Sequence, residues 1–200
     1  MAAWSDILAQ LRVELEESTA SVWTDAQFLV WWNEGQRDYS RRALILQDEE
    51  YLAWTANVRS YDMPTYTIQP ISAYWGDKPL EVTDYLNFSR QTTTSAKPSE
   101  VAFYNDAIYV NPLPTVAGTL GFLRYYEPTP LVNATATIPF DSRHSRAVKC
   151  FVKARAMEQI GDFDSAVGYD QMYNREVAET EFERIKFEDG AMVRLPTEVW

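Results

Sequence analysis

The sequence contains one cysteine, Cys150, and one histidine, His144. A single thiol forms no internal disulfide, and with one imidazole beside it the chain has no Cys/His set for a zinc centre. The glycine patterns that cradle phosphates are missing too. Neither G-x-x-x-x-G-K-[ST] nor G-x-G-x-x-G occurs, which argues against motor and kinase chemistry. There is no G-x-S-x-G elbow, and His144 sits between Arg143 and Ser145 in a segment that reads as helix, so a Ser-His-Asp triad has no frame. No apolar run approaches a membrane span, and the opening MAAWSDILAQ has neither the basic nor the apolar region of a signal peptide. The expectation is a soluble, folded protein with no cofactor, no metal and no membrane partner.

Positive charge is also in short supply. The formal net charge is −11, and it is uneven: residues 1–60 carry 5 basic and 10 acidic groups, 61–139 carry 4 and 7, 140–157 carry 5 and 1, and 158–200 carry 4 and 11. Binding to nucleic acid is driven by Lys and Arg displacing counterions, so this balance argues against a protein that grips phosphates. It does not exclude a wall past which DNA slides.

What is present begins with Thr24 to Gln47, where period, start signal and composition agree. Thr24 with Gln27 makes a capping box, each side chain satisfying a backbone N–H of the first turn. Phe28, Trp32, Gly35, Tyr39, Ala43 and Leu46 then recur at steps of three and four, an aromatic stripe on one face, while Glu34, Arg37, Asp38, Arg41 and Arg42 lie off it. That stripe is read as core. Ahead of it, Trp4, Ile7, Leu8, Leu11 and Leu15 predict a short amphipathic helix, with a turn at 18–21. Asp48, Glu49 and Glu50 are unfavourable at a helix C-terminus, so a break or a second short helix is expected there.

From Val58 the pattern alternates, with β-branched and aromatic residues interrupted by Pro64, Pro70 and Pro79, which predicts short strands. Turns are expected at Trp75-Gly76-Asp77-Lys78 and at Asn105-Asp106, and a further strand at Gly118, together an antiparallel meander. Eight of the ten prolines fall between 64 and 130, confining the strands to short pieces. The polar stretch 89–99 predicts a mobile loop.

Asp141 or Ser142 is the expected N-cap of a helix from about Arg143 to Ile160, with Ala147, Phe151 and Ala154 on one face and Gly161 ending it. Asp164 is expected to cap a fourth helix, through Lys186, with Ala166, Tyr169, Tyr173 and Val177 as its stripe. The fold class is therefore α+β. Four helices in two hairpins pack as one bundle (1–57 and 140–187), a Pro-rich antiparallel β lobe is inserted between them (58–139), and an extended tail follows (188–200).

Arg146, Lys149 and Lys153 form a basic stripe on the third helix, facing either solvent or the acidic face of the fourth, which carries Asp170, Glu176, Glu179 and Glu183, in the same subunit or a neighbour. Such contacts between subunits would weaken with salt, since exposed charges are screened beyond roughly 8 Å at physiological ionic strength. In the tail, Met192, Val193, Leu195, Val199 and Trp200 have no hairpin or helix partner and read either as packing on their own subunit or as an anchor on another. Asp162 with Asp164, and Glu34 with Asp38, are the carboxylate pairs that a glycosidase would need across a cleft.

Taken in order, the chain resembles the head-to-tail adaptor, or connector, proteins of tailed bacteriophages. The resemblance runs through Phe28-Leu29-Val30-Trp31-Trp32-Asn33-Glu34-Gly35-Gln36-Arg37-Asp38, Tyr61-Asp62-Met63-Pro64 and Gly76-Asp77-Lys78-Pro79-Leu80. It continues through Ala107 to Pro114, Gly118-Thr119-Leu120, Ala154-Arg155-Ala156 and Tyr173. It implies a dodecameric ring in the neck of the virion, assembled in the host cytoplasm. The bundle would contact the portal protein and the β lobe a tail or nozzle protein, and DNA would pass through a central channel without specific binding. In that setting the apolar tail is the expected portal contact and the loop at Gln91, Thr92, Thr93 and Thr94 a tail-facing one, although this loop has no match in the family pattern. An acidic channel wall would keep DNA moving. The alternatives are a carboxylate-dependent cell-wall hydrolase of a phage, and another neck or tail-completion protein.

Overall fold

The structure is a computed structural model that describes residues 2–17, 22–88, 94–95 and 97–192. In chain order its elements are α1 (Trp4–Glu14), α2 (Asp25–Ala43), β1 (Gln47–Trp54), β2 (Ser60–Asp62), β3 (Thr67–Trp75), β4 (Lys78–Pro79), β5 (Glu81–Val82) and α3 (Tyr85–Phe88). They continue as β6 (Thr94–Ser95), β7 (Glu100–Tyr104), β8 (Ala107–Asn111), β9 (Leu113–Pro114), β10 (Gly118–Tyr126), α4 (Ser142–Ile160) and α5 (Phe163–Met192). The protein is α+β and divides into two compact units, Met1–Ile45 with Pro128–Trp200, and Leu46–Glu127.

In the first unit, α2 starts where its capping box requires. The Gln27 amide donates to Thr24 Oγ1 (3.2 Å) and the Thr24 amide to Gln27 Oε1 (2.8 Å). Phe28, Trp32, Gly35, Tyr39 and Ala43 are all buried, as the stripe requires. Trp32 meets Trp4 of α1 (ring centroids 5.4 Å apart), Gly35 lies against Val148 and Phe151 of α4, and Tyr39 meets Tyr173 of α5 (6.3 Å); Ile7, Leu11, Ala147, Ala154, Ala166 and Val177 are buried as well. Asp141 caps α4, its carboxylate accepting the His144 N–H at 2.9 Å, and Gly161 at φ +81° ends it. Before α2, the buried Glu17 accepts the Val22 and Trp23 amides (2.6 and 3.1 Å) and pairs with Arg12, which also reaches Asp25 and lies 5.2 Å over the Phe28 ring. One ion pair thereby fixes how the chain approaches α2.

The second unit consists of two four-stranded sheets, ordered β1-β10-β3-β4 and β2-β8-β7-β5, and a two-residue ladder, β6-β9. Trp54, Ala73, Trp75, Leu80, Leu120 and Phe122 share one core with Val101, Ile108 and Val110. The Asn105-Asp106 turn joins β7 to β8 with both residues at positive φ (49° and 56°), the geometry that matches strand twist in a two-residue hairpin. Gly121 is obligatory for a different reason: the Tyr74 ring lies over it, and a Cβ there would stand 2.3 Å from the ring.

Several expectations need correction. The change to strand comes at Gln47, not Val58, and the acidic run that predicted a helix break or short helix belongs to β1. Asp48 and Glu50 are stabilised there by Arg124 of the adjacent strand, at 2.8 and 2.7 Å, a tertiary effect that outweighs local propensity. The second unit is not a simple meander, because β10 returns between β1 and β3, and the β5–β7 and β6–β9 ladders are parallel. Asp162, not Asp164, caps α5, since its carboxylate is the one three residues ahead of a free amide, that of Ser165 (3.2 Å). α5 runs to Met192, past the expected end at Lys186, because the lone Gly190 weakens a helix without stopping it and the next proline is Pro196. Thr94 is in a strand rather than a loop. The turn at 18–21 and Gln91, Thr92 and Thr93 lie outside the described residues.

Candidate functional site

The basic stripe of α4 is divided between two neighbouring helices of its own chain. Arg146 meets Glu176 of α5 at 3.3 Å, whereas Lys149 and Lys153 both converge on Glu14 of α1, Lys149 at 2.6 Å. Lys149 also donates to Gln10 Oε1 (3.3 Å), and Lys153 lies 5.3 Å over the Tyr169 ring. Burial opposes charge on Glu14, but the two ammonium groups outweigh it and hold its carboxyl below the usual carboxylate value. Glu183 pairs with Arg143, a fork of two hydrogen bonds at 2.6 and 3.0 Å that the sequence pattern does not single out. Asp170 accepts from Asn174 on its own helix at 2.8 Å, and Glu179 is exposed. Among the described residues, Asp170 and Glu179 are thus the members of the acidic set that pair with no cation.

A polar cluster in the helical core escapes sequence reasoning. The Tyr39 hydroxyl lies 2.7 Å from His144 Nδ1 and 3.0 Å from Thr180 Oγ1, while Thr180 donates to the Glu176 carbonyl (2.8 Å). With the threonine proton committed to that carbonyl, the Tyr39 hydroxyl donates to Thr180 and accepts from His144 Nδ1–H. Burial pushes the His144 pKa down, with the Asp141 carboxylate 4.0 Å away pulling the other way. Two turns before Thr180 on α5, Tyr173 donates to Asp38 at 2.6 Å. Each residue was legible as part of a helix; their mutual contact, over 105 to 141 residues of chain, was not.

The two carboxylate pairs occupy exposed or already hydrogen-bonded positions. Asp162 is an exposed N-cap whose carboxyl is lowered by the Ser165 hydroxyl and amide, the opposite of what a general acid needs. Asp164 and Glu34 are exposed, and Asp38 is occupied by Tyr173 and Arg42.

What the surface offers is contact area. In the helical unit Val30, Trp31, Ala26, Arg155 and Gln159 line a groove of 610 Å³. In the β unit Tyr85 and Tyr104 stack at 4.3 Å with an interplanar angle of 5°, and Leu86 beside them is 68% exposed. Of the apolar tail, Met192 closes α5 and Val193, Leu195, Val199 and Trp200 lie outside the described residues.

Comparison with known families decides the class. The family described as SU10 adaptor protein matches residues 2–194. The chain belongs to that family. As an SU10 adaptor protein it is a structural protein of a phage particle, in agreement with the head-to-tail resemblance read from the sequence, and for such a protein the sites that matter are surfaces. Among curated proteins none matches the chain. Among the described residues of this SU10 adaptor, no helix is long and apolar enough to cross a membrane.

Proposed function

We propose that the protein is a head-to-tail adaptor that forms a ring of about twelve copies below the portal, extends the DNA channel and gives the tail its attachment platform. The observation that carries this is the family match across residues 2–194. The helical unit faces the portal, with Met192, Val193, Leu195, Val199 and Trp200 as its anchor, and the β unit faces the tail or nozzle, with the segment Gln91 to Thr94 at that end. Asp170 and Glu179 on α5, which pair with no cation among the described residues, lie toward the neighbouring subunit. The net charge of −11 suits a lumen that repels phosphates. The protein is assembled in the host cytoplasm and resides in the virion neck, acting through binding alone.

Native mass spectrometry of the protein alone, then mixed with the portal of the same phage, tests this. A ring of about twelve copies on the portal is the expected result. A chain that ignores the portal at every salt concentration would remove the proposal.

A further inference from the structure

Strand β1 is the open edge of its sheet and is eight residues long, roughly 27 Å. Its register against β10 runs without a bulge from Gln47↔Tyr125 to Trp54↔Gly118. The Tyr126 amide donates to the Leu46 carbonyl at 3.0 Å. In the alternating antiparallel ladder this fixes Asp48, Glu50, Leu52 and Trp54 as the residues bonded to β10, and turns the backbone groups of Gln47, Glu49, Tyr51 and Ala53 outward. The side chains of those four are exposed, and no described residue bonds to their outward amides or carbonyls.

Long edges of this kind are normally blunted by charged side chains, lysine above all, by proline or by a bulge. The other edges of the two sheets are blunted: β4 is two residues ending in Pro79, β5 is two residues and β2 is three. β1 has only its acids, Asp48, Glu49 and Glu50, for this purpose, and they repel an anionic strand while attracting a cationic one. Arg124 is the one guanidinium set between Asp48 and Glu50, and Glu49 receives a hydrogen bond from Tyr51 (2.6 Å) and no cation. The edge is therefore sterically open and electrostatically negative.

We propose that the outer edge of β1 is a docking site for an extended segment of another protein bearing lysine or arginine at alternate positions, which adds to the sheet as a further strand. A second copy of this chain lacks the complementary charge. Its β1 would bring three further acids, Asp48, Glu49 and Glu50, and no cation to an edge that is already negative, and pairing β1 with a copy's β4 meets Pro79. The added strand gains backbone hydrogen bonds from Gln47, Glu49, Tyr51 and Ala53, and its cations lie beside Glu49. This stands on the strand edge alone, so a ring that assembles on the portal while the edge stays empty would sink this inference and leave the adaptor reading intact.

The test is residue-resolved amide exchange on the full chain with a synthetic peptide alternating Lys with Val and Thr, and a counterpart with Glu in place of Lys. The lysine peptide is expected to slow exchange about tenfold at Glu49 and Tyr51, and the glutamate peptide to leave it unchanged. Tyr51→Pro removes an outward N–H without touching the β10 ladder and abolishes the effect. Glu49→Lys, a surface charge change that leaves the backbone intact, weakens the lysine peptide about fivefold and admits the glutamate peptide. Slowing at β2 or β5 instead, equal slowing by both peptides, or no slowing by either overturns the proposal.

Discussion

Gly35 of α2 and Phe151 of α4 meet so closely that a Cβ on the glycine would stand 2.8 Å from Cδ1 of the ring and 3.2 Å from Val148. The helices cross on a residue with no side chain, and the atoms opposite sit near the base of Phe151, where the ring has little freedom to retreat. Gly35→Ala would gain about 1 kcal/mol of helix propensity and incur overpacking of about 1–3 kcal/mol. The expected outcome is net destabilisation, read as a lower denaturant midpoint, with partial recovery in Gly35→Ala/Phe151→Leu. A more stable Gly35→Ala would mean the crossing is looser than its geometry.

His144 makes stability depend on pH in a window separate from that of the carboxylates. Its folded pKa lies below the ordinary value of about 6.5, so the unfolded chain takes up the proton first. The contribution is complete above about pH 6.5 and is lost as pH falls through the lowered folded value. His144→Gln should flatten the stability profile there. A profile that keeps its slope in the variant would assign the effect to other groups.

Glu14 is the single anion between two lysines whose side chains are 15% and 14% exposed. Glu14→Gln leaves both ammonium groups without it, at a cost of roughly 1–2 kcal/mol for a partly solvated site. Because its folded pKa is lowered, the wild-type contribution is present above the ordinary carboxylate value and disappears as pH falls through the folded one. The variant should therefore converge with wild type in acid, which urea titration at pH 7 and pH 3 would measure.

Arg124 spans two carboxylates, the Thr65 carbonyl (3.3 Å) and Thr67 Oγ1 (2.7 Å). Arg124→Lys keeps the charge and loses the planar fork, so it should recover little of the ~2 kcal/mol expected for Arg124→Ala. Full rescue by lysine in thermal unfolding would reduce the network to a point charge.

Asp106 holds a positive φ of 56° that glycine adopts without cost. Asp106→Gly should stabilise the β7–β8 hairpin by a few tenths to about 1 kcal/mol, and slower amide exchange at Phe103 and Ile108 would report it.

These cases also mark what was legible in the sequence. Thr24 with Gln27, Asp141 and Gly161 were readable because a cap acts within three or four residues, and the aromatic stripe of α2 because helical period is local. β1 was not, since Asp48 and Glu50 are reconciled with a strand by Arg124, some 75 residues away. The same holds for the site residues. Spacing found the basic stripe of α4, but that Lys149 and Lys153 turn to α1 and Arg146 to α5 depends on how the helices cross. The open edge of β1 left no sequence signal, because an edge is defined by the strand that is not there.

The hydrogen bond between Leu46 and Tyr126 joins the first residue and the last but one of a segment that the helical part of the chain is interrupted to accommodate. A segment whose two ends are stitched together behaves as a cassette: it can lengthen, shorten or be exchanged for another without moving the points at which its host is cut. Lineages that meet different tails would be free to vary the cassette quickly while the interrupted helices change slowly.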